Sequence, residues 1–146
     1  MTRRSRSRRL ALQALCCLDV RGEGARGTVD QFVRDSKEPP EVVAAALSLM
    51  QQVLADRSAC DELLARHARH WGLSRLALVD RNILRLAACE LRCRRAPYKV
   101  VISEALRLAE EFSTAESARF VNGILDSAAK EVRGGKAADA PKETQE

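Results

Sequence analysis

Val79–Leu91, with the sequence VDRNILRLAACEL, carries a helical pattern that is apolar on much of its surface. Its apolar members are Ile83, Leu84, Leu86, Ala87, Ala88 and Leu91. A helix that is apolar on most sides belongs in the core of a protein. We therefore predict a central helix from Arg81 to about Arg94, with Asp80 as its N-cap residue.

Amphipathic helical patterns flank this segment on both sides, and several begin at a proline or a capping residue. They predict helices over 6–18, over 29–34 after Thr28, over 39–55 from Pro39-Pro40, around Leu63-Leu64 to about His70, over 98–112, and from Ser113 to about Val132. No segment predicts a credible strand. The expected fold class is therefore all-α, with about seven helices.

The composition fits one small helical domain. Of the 146 residues, 46% are hydrophobic and only 3% aromatic, which favours helices over strands. We expect residues 1–133 to form a single domain and residues 134–146, rich in Gly, Ala, Lys, Pro and Glu, to be a disordered tail. The apolar run from Leu10 to Val20 is broken by Gln13 and Asp19, so no signal peptide or membrane span is expected. Five cysteines without a disulfide framework indicate reduced thiols and a cytoplasmic protein.

The charge of the chain is concentrated at its start, in a segment that we call the arginine head. The head consists of Arg3, Arg4, Arg6, Arg8 and Arg9 and contains no acidic residue. The whole chain has 25 basic and 20 acidic residues, so the head accounts for the entire net charge of +5. Guanidinium groups bind phosphate bidentately, which makes nucleic acid the predicted partner. The alternative is a solvated, disordered tail.

The helix that follows the head has two sides. Leu10, Ala11, Ala14, Leu15 and Leu18 lie on the apolar side, whereas Arg6, Arg9, Gln13 and Cys16 lie on the opposite side. The apolar side anchors the helix to the body of the protein. The polar side offers guanidinium groups to phosphates and an amide to base edges.

Other candidate nucleic-acid contacts remain open at this stage. The basic group Arg92, Arg94, Arg95 and Lys99 either extends the binding footprint or is the cationic end of a helix. Trp71 and Tyr98 are either stacking platforms or aromatic residues at the edge of the core.

A metal or catalytic site is not expected. Cys89 and Cys93 lie four residues apart on one helix, and His67 and His70 offer two imidazoles, but no sequence feature brings these helices together. Buried cysteines are common as small apolar fillers. No glycine-rich phosphate loop is present. We predict no enzyme activity, no metal and no cofactor.

Four motifs in order resemble the NusB family of bacterial transcription antitermination factors. The first is the arginine head with Leu10-Ala11-Leu12-Gln13-Ala14-Leu15, and the second is Val79–Leu91. The third and fourth are Pro97-Tyr98-Lys99-Val100-Val101-Ile102-Ser103-Glu104-Ala105 and Phe120-Val121-Asn122-Gly123-Ile124-Leu125-Asp126.

The resemblance implies two small packed helical bundles, here 1–70 and 71–133. It implies binding to the boxA element of nascent ribosomal RNA together with NusE, a ribosomal protein, on RNA polymerase with other Nus factors. The implied RNA contacts are Arg3, Arg4, Arg6, Arg8, Arg9, Gln13, Cys16, Lys99, Arg119 and Phe120. The implied NusE contacts are Asp80, Arg81, Leu84 and Arg85.

The sequence departs from the family pattern at two positions, and other functions stay open. Cys16 and Cys89 stand where the family commonly has aromatic residues. The missing ring at Cys16 is expected to make RNA binding weaker than is typical, whereas Cys89 is expected to change only the packing of the core. One alternative is a protein-interaction module with weak or lost RNA binding. Another is a fragment of an RNA cytosine methyltransferase, although the disordered-looking end argues against a fragment. A homodimer that hides the RNA surface is also compatible with the resemblance.

Overall fold

A computed structural model describes residues 1–68, 72 and 75–135, and it confirms the all-α fold class. Within these residues the chain forms seven α-helices and no strand. The helices are α1 (Arg3–Arg21), α2 (Arg26–Arg34), α3 (Pro40–Ala55), α4 (Arg57–His67), α5 (Leu78–Cys93), α6 (Tyr98–Phe112) and α7 (Ala115–Gly135). None of these helices is both long and apolar enough to cross a membrane.

Helix α1 takes in nearly the whole arginine head, which is more than the sequence predicted. Thr2 caps the helix, because its Oγ1 accepts a hydrogen bond of 3.0 Å from the backbone N–H of Ser5. The helix ends at Gly22, whose φ of 90° is the left-handed conformation that glycine adopts most easily. The head is therefore the first two turns of a helix, and the disordered-tail alternative does not hold for it.

Helix α5 is central, as predicted, and packs against α1, α4, α6 and α7. Ile83, Leu84 and Leu86 are fully or almost fully buried. Helix α1 lies between α3 and α5 and is therefore buried on more than its predicted apolar side. Leu12, Ser5 and Ser7 are buried in addition to the predicted positions.

Helix α4 packs mainly on α5 and α7 and only weakly on α3. The two groups of helices are thus α1–α3 and α4–α7. The division into bundles 1–70 and 71–133 stays a prediction. One continuous core nevertheless joins both groups, through the contacts of α1 with α5.

Several predicted helix ends require correction. Helix α2 begins at Arg26, and α4 ends at His67, short of His70, which lies outside the described residues. Thr114, and not Ser113, caps α7, since its Oγ1 accepts from the backbone N–H of Ser117 at 3.0 Å. Helix α7 continues to Gly135, and the rest of the predicted tail is outside the described residues.

The predicted cap at Asp80 is also wrong. Helix α5 starts at Leu78, so Asp80 lies within its first turn, and its carboxylate accepts a 2.8 Å hydrogen bond from Ser117 Oγ on α7. The helix macrodipole stabilises an acidic side chain in the first turn of α5. The hydrogen bond from Ser117 also joins the start of α5 to the start of α7.

Candidate functional site

The outward side of the arginine head is a row of arginines, each of which faces the solvent at least in part. Arg3 and Arg4 are exposed, and Arg6 and Arg9 are half-buried. They lie one, two and three positions apart, so they spread over more than half of the helix circumference in the first two turns of α1. These four side chains form the strongest candidate for an anion-binding surface.

Carboxylates of the same chain already pair with most of this row. Arg3 Nη1 lies 3.0 Å from Glu41 Oε2, Arg6 Nη2 lies 2.5 Å from Glu38 Oε1, and Arg9 Nε lies 2.6 Å from Glu111 Oε2. In the described part of the chain, Arg4 has no ion pair. Exposed pairs of this kind contribute little to stability, so they can open when a stronger anion arrives.

Arg9 has a second contact that orients its side chain. Its guanidinium carbon lies 5.5 Å from the centre of the Phe112 ring, within the range of a cation–π interaction. Glu111 and Phe112, which both lie in the last turn of α6, thus hold the Arg9 side chain in place. A guanidinium that is held in place loses less side-chain entropy when it binds a ligand.

Arg8 was also predicted to contact RNA, but in this structure it lies in the interior. Its side chain is only 6% exposed, and its Nε lies 2.9 Å and 3.2 Å from the two carboxylate oxygens of Glu90 on α5. The Arg8 side chain points inward from α1, toward α5. Arg8 therefore joins α1 to α5 and does not reach an external phosphate.

Gln13 and Cys16 continue the outward row and are half-buried. Burial and the nearby Asp19 carboxylate raise the pKa of the Cys16 thiol to about 11. The thiol is therefore neutral at physiological pH. It is a small, weakly polar group, and it provides no ring on which a base could stack.

The remaining predicted RNA contacts lie at two different places. Arg119 is exposed and Phe120 is half-buried against the core, one turn into α7 and a few residues after the Arg9 contacts at Phe112. Lys99 is exposed at the opposite end of α6. Thirteen residues separate it from Phe112, which corresponds to about 20 Å along the helix. Lys99 is thus separated from the site at the head.

The second basic group is used within the protein. Arg92 forms two hydrogen bonds with Asp56, Arg94 donates to the backbone carbonyl of Val132, and Arg95 donates to Gln52. These contacts favour the structural alternative, in which the arginines secure the end of α5. Tyr98 lies under the Arg133 guanidinium, 3.8 Å from the ring centre, and Trp71 is outside the described residues.

Three of the four predicted NusE contacts are buried in this structure. Leu84 is fully buried, Asp80 is 6% exposed and Arg85 is 7% exposed. Arg85 forms a bidentate pair with Asp61 and, like Arg81 and Asn82, also lies near Asp19. Burial alone would raise the pKa of Asp19, but these contacts outweigh it and lower the pKa. Only Arg81 keeps partial exposure.

No zinc site was predicted from Cys89, Cys93, His67 and His70. His67 lies 2.6 Å from both Ser127 Oγ and Glu131 Oε1, away from the cysteines, and His70 is outside the described residues. Arg66 and His67 together lower the pKa of Glu131 to about 2, with the Arg66 hydrogen bonds as the largest cause. Cys89 instead lies beside Cys60, a proximity that no spacing in the sequence indicates.

The family model, the similar sequences and the similar structures all match one protein family. A family model described as the NusB family matches residues 5–130. The transcription antitermination protein NusB of Anaeromyxobacter dehalogenans is 43% identical over 130 residues, which cover 88% of this chain and 91% of the relative. The structure of T. maritima NusB superposes with a TM-score of 0.78 and 33% identity, over 90% of this chain and 92% of the other.

A further likeness concerns the fold alone. A chain from the crystal structure of the antitermination factors NusB and NusE in complex with double-stranded RNA has a TM-score of 0.79. It shares 24% identity and covers 89% of this chain and 98% of its own length. The helical arrangement described above is therefore found in solved structures.

Proposed function

The chain belongs to the NusB family, and on that premise we propose that it is a transcription antitermination factor. It binds the boxA element of nascent ribosomal RNA together with NusE, joins RNA polymerase with other Nus factors, and suppresses termination. It is not an enzyme, and it acts in the cytoplasm, where bacterial transcription takes place. The family match over residues 5–130 carries this proposal.

We propose the outward side of α1 as the RNA surface. Its members are Arg3, Arg4, Arg6 and Arg9, with Gln13 and Cys16 following along the helix and Arg119 and Phe120 nearby on α7. Arg8 is excluded because Glu90 holds it in the core. Lys99 provides at most a separate contact for a longer RNA. The support for this surface is its exposure together with its excess of cationic side chains.

The carboxylates that pair with these arginines have a role in this proposal. Glu38, Glu41 and Glu111 hold the guanidinium groups in place while the protein is free. A phosphate must displace them to bind, which weakens non-specific binding to any polyanion. RNA binding then depends on base contacts and on NusE in addition to charge.

We place the NusE surface at the start of α5, where Arg81 is partly exposed. Asp80, Leu84 and Arg85 lie beneath that surface and position α5 against its neighbours. The RNA surface and the NusE surface are thus on different helices. A variant of the head should lose RNA binding without losing NusE.

The experiment is an equilibrium binding titration of boxA-containing RNA over a salt series, with and without NusE. The wild type should show an affinity that falls as salt rises. Changing Arg4, Arg6 and Arg9 together to Ala should flatten the slope of log K against log salt by about 2, or about 0.7 for each phosphate that is no longer neutralised. Arg21→Ala is the matched control, since Arg21 is exposed on the same helix about 18 Å beyond Arg9.

Two outcomes would reject parts of the proposal. If no RNA binds at low salt even with NusE present, the chain is a protein-interaction module and not an RNA-binding factor. If the triple variant loses NusE as well as RNA, while circular dichroism shows an intact fold, the division between the two surfaces is wrong. Sedimentation at the same concentrations identifies a homodimer that would cover the RNA surface.

A further inference from the structure

Three groups with metal-ligating atoms meet where α3, α4 and α5 come together. A carboxylate oxygen of Asp56 and the Sγ atoms of Cys60 and Cys89 all lie within 4.8 Å of one another. Cys93 lies one turn beyond Cys89 on the same side of α5. We propose that Asp56, Cys60, Cys89 and Cys93 form a binding site for a thiophilic divalent cation such as Zn²⁺.

The spacing of the ligand atoms supports this proposal. Tetrahedral zinc with Zn–S bonds of about 2.3 Å places two thiolates about 3.8 Å apart. The ligand atoms of Asp56, Cys60 and Cys89 lie within 4.8 Å of one another, which leaves one ion within reach of all three. The two inner ligands, Cys60 and Cys89, are fully buried on rigid helices, which fixes half of the site in advance.

A hydrogen bond already joins two of these groups. Cys60 Sγ donates to Asp56 Oδ2 over 3.5 Å. Cys89 Sγ lies within 4.8 Å of the ligand atoms of both residues. A cation would replace the weak hydrogen bond with bonds to sulfur and release the thiol protons.

The surroundings suit a bound cation in charge and in access. Three thiolates, one carboxylate and one divalent cation sum to a charge of −2, and Arg92 and Arg95 lie beside the cluster. Arg92 Nε lies 2.8 Å from Asp56 Oδ2 and holds that carboxylate from outside, as neighbours of metal ligands commonly do. Cys93 is exposed, so the site opens to solvent on one side.

A simple apolar filler or a disulfide accounts for fewer of these observations. Filler cysteines need no carboxylate, yet Asp56 points at Cys60. A disulfide between Cys60 and Cys89 would leave Cys93 and Asp56 without a role. The convergence of two thiols and a carboxylate from α4, α5 and the α3–α4 junction, with a third thiol one turn away on α5, is what a metal site requires.

The test is a Cd²⁺ titration of the full chain under a non-thiol reductant, monitored by the ultraviolet thiolate-to-cadmium charge-transfer band. The band should grow linearly, stop at one equivalent, and disappear when a strong chelator removes the cadmium. Bound Zn²⁺ should also raise the unfolding temperature, because it binds only the folded chain. Absence of a saturating band at one equivalent overturns the proposal.

Variants assign the ligands. Cys93→Ser lies at the surface and should fold normally; it should lower the band by about one third, since one of three thiolates is lost. Arg92→Ala should weaken Zn²⁺ binding by roughly 10- to 100-fold without changing the band at saturation. Cys17→Ser on α1 is the matched control and should change neither quantity. A full band in Cys93→Ser, or a reduced band in Cys17→Ser, overturns the assignment.

Discussion

Arg8 and Arg9 are neighbours in the sequence, yet they lie in opposite environments on the inner and outer sides of the arginine head. On the inner side, Arg8 and Glu90 are both buried and make two short contacts. On the outer side, Arg9 pairs with Glu111 at 38% and 32% exposure. Both are arginine–glutamate ion pairs, but the buried pair holds two helices together and the exposed pair can open. The difference arises because burial sets the free-energy cost of removing one partner.

The largest effect should come from breaking the inner pair. Glu90→Ala leaves a buried guanidinium without its carboxylate and should lower the free energy of unfolding by about 3–5 kcal/mol, whereas Glu111→Ala should cost less than about 1 kcal/mol. Urea denaturation measures both. The double variant Arg8→Met with Glu90→Met should recover most of the loss, since it removes both charges. Equal losses for Glu90→Ala and Glu111→Ala would remove the distinction between the two sides.

The next effect concerns Cys16, further along the outer side. Cys16→Tyr introduces an aromatic ring where the row of polar residues continues. It should tighten binding of boxA-containing RNA by about 1–3 kcal/mol if a base stacks there. Fluorescence anisotropy at constant salt measures this change, with Cys17→Tyr as the control. An unchanged affinity would show that the RNA surface ends before residue 16.

A smaller effect should follow from removing the outer carboxylates. Each of Glu38→Gln, Glu41→Gln and Glu111→Gln frees one arginine from its internal partner. RNA affinity should then rise by about 0.2–1 kcal/mol per substitution, the usual strength of an exposed pair. The same RNA titration measures the gain, and Glu62→Gln, exposed on α4, provides a control. Weaker RNA binding would mean that the carboxylates support the site instead of competing for it.

The smallest effect is a pH dependence at Glu41. Its pKa is lowered from 4.5, first by a hydrogen bond from its own backbone and then by the charge of Arg3. Because the folded-state pKa is the lower one, the stabilisation is complete above pH 4.5 and is lost as pH falls through the folded value. NMR titration should show the Glu41 pKa rising in Arg3→Ala while staying below 4.5. A pKa that is unchanged by Arg3→Ala would show that the ion pair does not persist in solution.

The sequence predicted the helices well because their apolar spacing is local information. Every apolar position predicted on the inner side of α1, from Leu10 to Leu18, is buried, and α5 is central as its pattern indicated. What the sequence could not supply is which helices meet. Glu90 comes 82 residues after Arg8, and no local pattern marks it as the partner that turns Arg8 inward.

The prediction of the candidate site had the same limit, because the sequence does not show which helices pack against each other. The direction of Arg6, Arg9, Gln13 and Cys16 follows from helical geometry, and the structure leaves all four partly exposed. Asp80, Leu84 and Arg85 were assigned to a partner surface because they resemble a motif, but α5 is enclosed on several sides by α1, α4 and α7. The proximity of Cys60 to Cys89 likewise depends on the packing of α4 against α5, which no spacing encodes.

The Arg8–Glu90 pair also has a consequence for how the protein is made. Of the seven helices, α1 leaves the ribosome before the others, and α3 follows within some 50 residues to cover one of its sides. Glu90 is synthesised 82 residues after Arg8, about 4–16 s later at usual rates of translation. During that interval Arg8 has no buried carboxylate to meet, so α1 cannot reach its final packing. The earliest of these seven helices is therefore among the last to be completed, because its packing waits for α5.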